Sequence, residues 1–269
     1  MKTTLTNVKA DARLPHCAIA DPFKNYKPES ERNVRELKFK MNPNNSIKAI
    51  TNWFLQSDFN HVLDSHSIFN KNLSGLDYYY GLAINFAKGL NYSPEDIAKF
   101  LLTVKDDFLR QEQDFEKTMA LGLFLSALMN VHKEKSFVLI TRHLDCVPDY
   151  FGYKNTKNIV VQGNLSSWVG DTMCDGKIVV NGNVSLYLGH FMAGGTIEIN
   201  GDVGSDCGEN MEGGSIFIKG NAEREVGSIN GGDIYIEGDY ESLSNSKDIK
   251  GGNIFHKGKQ IVKNGKRLI

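Results

Sequence analysis

The residues through which this chain could do metal or nucleophilic chemistry are its seven histidines and four cysteines, and their spacing decides how much they can do. His61 and His66 stand five apart, with Asp58 and Asp64 beside them. Metal-binding histidines on one helix face need a spacing of three or four, so surface or capping roles are expected here. Cys17, Cys146, Cys174 and Cys207 contain no C-x-x-C, which argues against a zinc knuckle or an iron–sulfur run. No G-x-S-x-G elbow occurs, and no cysteine stands with a histidine in a pattern that implies nucleophilic catalysis. Asn164, Asn183, Asp202, Asn221 and Asp239 each follow a glycine and offer oxygen donors. They lack the clustered acidic spacing of calcium-binding G-G-x-G-x-D repeats, and a ladder of asparagine-type turns is the expected reading. Glycine-rich stretches cradle phosphate where they lead into a helix; these lead into strands, so nucleotide binding is unsupported. No catalytic, cofactor-binding or metal-binding residue is assigned.

The elements that hold these residues repeat. Gly163, Gly182, Gly201 and Gly220 recur every 19 residues, and Gly176, Gly195, Gly214, Gly232 and Gly252 keep nearly the same rhythm. A period near 20 marks a solenoid, because each unit is too small to bury its own core. Ile178, Ile197, Ile216, Ile234 and Ile254 form one apolar column, with Val180, Ile199, Ile218 and Ile236 two residues on. Alternation by two places both columns on one side of a strand. Met173, Met192, Met211, Ile229 and Ile249 form a further inward column. Glycine, asparagine and aspartate supply the φ > 0 corners between short strands, and the leucine-rich repeat frame is absent. A parallel β-helix with coils stacked at roughly 4.8 Å is the expected fold. His190 falls in a column with Asp171, Glu209 and Ser228 and is expected outward and solvated.

GHFMAGGTIEING and GENMEGGSIFIKG spell M-x-G-G-x-I-x-[IV]-x-G preceded by G-x-x. Residues 157 to 258 thereby resemble the GXGXG domain, the β-helix found in the glutamate synthase large subunit and in formylmethanofuran dehydrogenase. The resemblance implies a right-handed β-helix that serves as a structural element in contact with other subunits, without catalytic residues. Other parts of glutamate synthase are missing: no cysteine stands immediately after Met1 to serve as an amidotransferase nucleophile, no barrel-length flavin-binding segment is read, and the cysteine set cannot hold a cluster.

At 269 residues and a net charge of −1, the chain has room for two domains and no globally basic surface, which argues against nucleic acid as a partner. Residues 1–28 read as an irregular arm and 29–150 as an α-helical domain. Residues 157–258 are the single-stranded solenoid, and 259–269 are a basic tail read by its charge as a solvated terminus; its apolar Ile261, Val262, Leu268 and Ile269 are expected either to fold back over the last coil or to leave that end for a second protein to complete. The class is therefore α+β. Ser46 is expected to cap a helix, a weaker helix to follow Ser57, and Ser74 to open another. Ser93-Pro94-Glu95-Asp96 is a helix start signal, with a capping serine, proline at the first helical position and acids in the first turn. MALGLFLSALM is apolar nearly all round and should be the central buried helix, where Gly122 and Ser126 would let a neighbour pack closely. Phe137 to Ile140 is either a first strand or a cap. No apolar stretch reaches membrane-span length and no signal segment is evident, which with scattered cysteines points to a soluble, cytoplasmic protein. The expected function is a non-catalytic scaffold built on the GXGXG-type β-helix, with the helical domain capping one end and presenting a partner site; it meets a protein partner, or another copy of itself, through the solenoid's ends or faces. An accessory subunit of an oxidoreductase complex, or an enzyme with a site at the domain junction, are the alternatives.

Overall fold

The computed structural model describes residues 45–57, 74–104 and 115–268. The N-terminal arm, the His61 and His66 group, and the helix expected after Ser57 lie outside the described residues.

Helices come first: α1 (Asn45–Gln56), α2 (Ser74–Lys88), α3 (Pro94–Thr103) and α4 (Phe115–Val131). A capping box forms at α3, where Asp96 N–H donates to Ser93 Oγ and Asp96 Oδ2 accepts from Ser93 N–H. Ser46 is no cap. It sits inside α1, and its hydroxyl donates to Asn91 O at 2.8 Å. Every residue of α4 from Met119 to Met129 is buried, as an all-apolar helix requires. Trp53 of α1 stacks on Phe86 and Phe124 with centroids 4.9 and 4.8 Å away, which ties α1, α2 and α4 together.

Seven parallel strands follow in sequence order: β1 (Ser136–Ile140), β2 (Asn158–Gln162), β3 (Lys177–Asn181), β4 (Thr196–Ile199), β5 (Ser215–Ile218), β6 (Asp233–Ile236) and β7 (Asn253–His256). Together they build a parallel β-solenoid of about six turns. Register places Phe137, Ile159, Ile178, Ile197, Ile216, Ile234 and Ile254 directly above one another, all at 2 % exposure or less. Because β1 pairs with β2, the ladder starts at Ser136, ahead of the expected residue 157. A second parallel line of single bridges joins Leu165, Val184, Val203, Ala222 and Tyr240. The buried side chains of helices and coils form one contiguous cluster.

Turns between strands need left-handed backbone. Gly176, Gly195, Gly214, Gly232 and Gly252 have φ between 64° and 85°. Space matters there as much as conformation. A Cβ on Gly214 would lie 2.7 Å from Met192 Cε and 2.8 Å from Gly195 O, both fixed by stacking. The asparagine ladder forms as well. Asn183, Asp202, Asn221 and Asp239 each donate N–H to the side-chain oxygen of the ladder residue one coil earlier, at 2.7–2.9 Å.

The tail folds back over the last coil, the alternative to a solvated terminus that its apolar residues suggest. β8 (Lys259–Lys263) turns back antiparallel to β7, and β9 (Lys266–Arg267) pairs with β8. Ile261 and Val262 are buried, and Gly265 N–H donates to Gly252 O across the last coil. Their apolar burial against an otherwise open coil drives the fold-back. The exposed Lys263, Lys266 and Arg267 keep the new edge from pairing further.

These contacts fix two expectations. Gly214→Val is expected to cost about 3 kcal/mol, because strain and overlap coincide at a packed corner. Ile216→Ala is expected to cost about 2–5 kcal/mol by opening a cavity, and Ser215→Ala, one residue earlier and off the core, to change little. Urea unfolding of the three variants measures all of this.

Candidate functional site

The coil nearest the helices gathers most of the polar and aromatic side chains that could do work. It is held there by close approach. A Cβ on Gly122 of α4 would overlap the Asp149 carbonyl oxygen and stand 3.1 Å from Phe151 N, so only glycine fits. One turn later Ser126 Oγ accepts N–H bonds from Gly152 (2.8 Å) and Tyr153 (3.2 Å) while donating to Gly122 O. The neighbour that Gly122 and Ser126 admit is thus the first coil of the solenoid. Asp149, buried at 4 % exposure, accepts from Thr118 of α4 and from Ser167 N–H. Burial pushes its carboxyl above the ordinary range against those hydrogen bonds.

A second set of contacts latches α2 and α4 to the same coil. Asp77 Oδ1 accepts from Tyr153 Oη at 2.8 Å and from Lys154 Nζ at 2.5 Å. Burial works to raise the Asp77 carboxyl, and the Lys154 and Tyr153 hydrogen bonds outweigh it, leaving the pKa lowered. Asn130 of α4 donates to the carbonyls of Tyr153 and Lys154 and to Tyr80 Oη.

Beside this latch lies the corner that chemistry would use. Tyr150, Trp168 and Tyr187 occupy equivalent left-handed positions in three successive coils, with φ of 53°, 57° and 58°. Their rings stack nearly parallel, with centroids 5.0 and 4.9 Å apart. Next to the stack Asp171 faces His190, one coil period later, with Nδ1 3.3 Å from Oδ1. The two atoms are at ion-pair distance but off the line of a hydrogen bond, so neither buried atom has a well-directed partner. Asp171 is only 2 % exposed and His190 is half-buried. The column of Asp171, His190, Glu209 and Ser228 is therefore not solvated at this end. Asp171 lies between the first coil, whose Lys154 N–H donates to its carbonyl, and the coil of His190, whose chain neighbour Phe191 packs on the imidazole at 4.3 Å. Burial pushes the Asp171 carboxyl up, and His190 and Lys154 oppose the shift.

An aspartate behind a histidine can hold one imidazole tautomer, which is what a general base requires. No nucleophile among the described residues completes the pair. Cys174 is exposed with its thiol directed at Thr172 O, and Cys207 is buried, with its thiol pushed up to about 12 by burial. Among the described residues no group of three His, Cys, Asp or Glu could hold a metal, and no helix is long and apolar enough to cross a membrane. Sequence reasoning misses the pairing of Asp171 with His190, although their separation of 19 equals the coil period and places them side by side.

Two outcomes follow. Gly122→Val is expected to unseat α4 from Asp149 and lower the melting temperature of helices and solenoid together, read by circular dichroism at helical and strand wavelengths. For Asp171, a folded pKa above the ordinary 3.8 adds stability that is full below that value and lost as pH rises through the folded pKa. Asp171→Asn abolishes that slope. The stability of the native chain relative to Asp171→Asn is therefore expected to fall as pH rises from about 4, measured by urea unfolding at successive pH values.

The chain matches no protein-family model, no curated protein and no solved structure.

Proposed function

We propose that the protein is a non-catalytic interaction scaffold whose working surfaces are the sides of the solenoid. One observation carries the reading. Both ends of the coil stack are covered from within the chain, by α4 at the first coil and by β8 and β9 at the last. Solenoid ends left open are the places where such stacks associate without control. With both covered, selective contact falls to the lateral faces, which are rigid because each coil is locked by the ladder on either side. The corner residues Leu186 and Phe191, 37 % and 39 % exposed beside the aromatic stack, are apolar side chains suited to anchoring a partner.

The repeat motif M-x-G-G-x-I-x-[IV]-x-G supports a right-handed coil of the GXGXG type. It also supports a role as an accessory subunit of an oxidoreductase complex as one form of that scaffold. The Asp171–His190 pair favours a second reading, an enzyme with its site at the junction; it lacks a nucleophile or electrophile-stabilising group beside it among the described residues.

Affinity capture with the full chain, followed by cross-linking mass spectrometry, tests the scaffold. A stoichiometric protein partner cross-linked to the solenoid's sides, and weakened about tenfold or more by Leu186→Asp with Phe191→Asp, is expected. A flavin or metal absorbance in that partner would identify the oxidoreductase form. Cross-links confined to the helices, or a capture unchanged by the two substitutions, would contradict the reading.

A further inference from the structure

Charge is arranged differently on two adjoining sides of the solenoid. On the outer face of the sheet it is balanced: Glu198 sits between Lys177 and Lys219, with an oxygen 3.0 Å from each ammonium. Burial works to raise the Glu198 carboxyl, and the two lysines outweigh it and hold it below the usual carboxylate range. The adjoining side carries an open groove of about 790 Å³ that crosses four coils. One wall is the asparagine ladder described above, from Asn183 to Asp239. The floor is Val184, Val203 and Ala222, the residues of the second parallel line.

Every charged side chain lining this groove is a carboxylate: Asp202, Glu223, Asp239 and Glu241. Two of them meet cationic side chains from outside it. Lys257 reaches Asp239 at 2.5 Å, with His256 Nε2 3.7 Å away, and Arg224 stands 3.7 Å from Glu241 with both side chains more than 60 % exposed. Pairs in that setting contribute little and are readily exchanged. Outside the groove lining, the same coils carry Asp206, Glu209 and Glu225 along with Lys219 and Arg224. Burial, and then repulsion from Glu225 and Glu209, holds Asp206 above its ordinary range, with Arg224 opposing the shift. Leu186 opens the groove at one end as an exposed apolar foothold.

We propose that this groove binds a basic, extended peptide segment of a partner protein, laid along the solenoid axis. Lysine or arginine side chains would meet Asp202, Glu223 and Glu241, and an apolar side chain would rest on Leu186. The fit follows from sign and from length. Coils stack at about 4.8 Å, so four coils span roughly 14 Å, which an extended chain at about 3.3 Å per residue covers in roughly four residues. A polyanion is opposed by the sign of the walls, and a neutral glycan would be indifferent to it. The proposal rests on the scaffold reading and names the side and chemistry of the contact.

The test uses the full chain and two labelled peptides, one alternating lysine with leucine and one alternating glutamate with leucine, followed by fluorescence anisotropy. The lysine peptide is expected to bind, with affinity falling as salt is raised, and the glutamate peptide not to bind. Asp202→Asn, Glu223→Gln and Glu241→Gln together are expected to weaken the lysine peptide by about tenfold. A control set that removes three exposed carboxylates elsewhere, Glu134→Gln, Asp175→Asn and Glu212→Gln, is expected to weaken it by less than about twofold. If the triple groove variant does not fold, Glu223→Gln alone replaces it, with about threefold expected. Equal losses in the two sets, binding of both peptides alike, or no binding of the lysine peptide at low salt would each overturn the proposal. None of those results touches the scaffold reading, which stands or falls with the captured partner and its cross-links.

Discussion

A coil of about nineteen residues cannot bury its isoleucine alone; it does so only against the coils before and after it. Everything else in the structure answers to that constraint. Ile197 and Ile216 are completely buried because the register of β3 to β6 places an isoleucine above and below each of them. The register holds because the corners return the chain at a fixed height, and the corners require left-handed backbone at glycines packed under Met192 and Met211. Ladder hydrogen bonds from Asn164 to Asp239 repeat the same spacing on the outside.

A stack built this way is unfinished at its first and last coils, and the chain finishes both with different material. At the start a helix replaces a coil. Gly122 and Ser126 let the α4 backbone come close enough for Ser126 to take up the N–H groups of Gly152 and Tyr153. At the end a hairpin suffices, since Ile261 and Val262 supply the missing apolar cover. The side faces are then the surfaces that the stack leaves uncovered, and the proposed scaffold would use them. They differ from one another: the sheet face is charge-balanced, one side is grooved and acidic, and the corner near the helices holds stacked aromatic rings over a buried Asp171.

Much of this is legible in the sequence, for a physical reason. Repetition turns a long-range contact into a local one, so the columns of isoleucine, methionine and glycine display which residues touch. The helix start at Ser93 and the all-apolar α4 are likewise local signals. What escapes is long-range and unrepeated. The Asp77 latch to Tyr153 and Lys154 joins positions 76 and 77 residues apart with no pattern to reveal it. Asp171 reads as solvated because its column is outward in later coils; cover from the first coil buries it at this end only. For the tail, charge suggests solvation and Ile261 and Val262 suggest a fold-back, and the sequence does not choose between them; burial of the two apolar side chains does. The acidic groove arises from side chains that are ordinary in any single repeat.

The central claim is that the helices complete the first coil and so free the sides of the solenoid to be selective. Multi-angle light scattering on residues 136–268 beside the full chain tests this most directly. The account predicts a full chain of one defined mass and a shortened chain that self-associates progressively with concentration. A shortened chain that stays monomeric, with the melting temperature of the full chain, would contradict it.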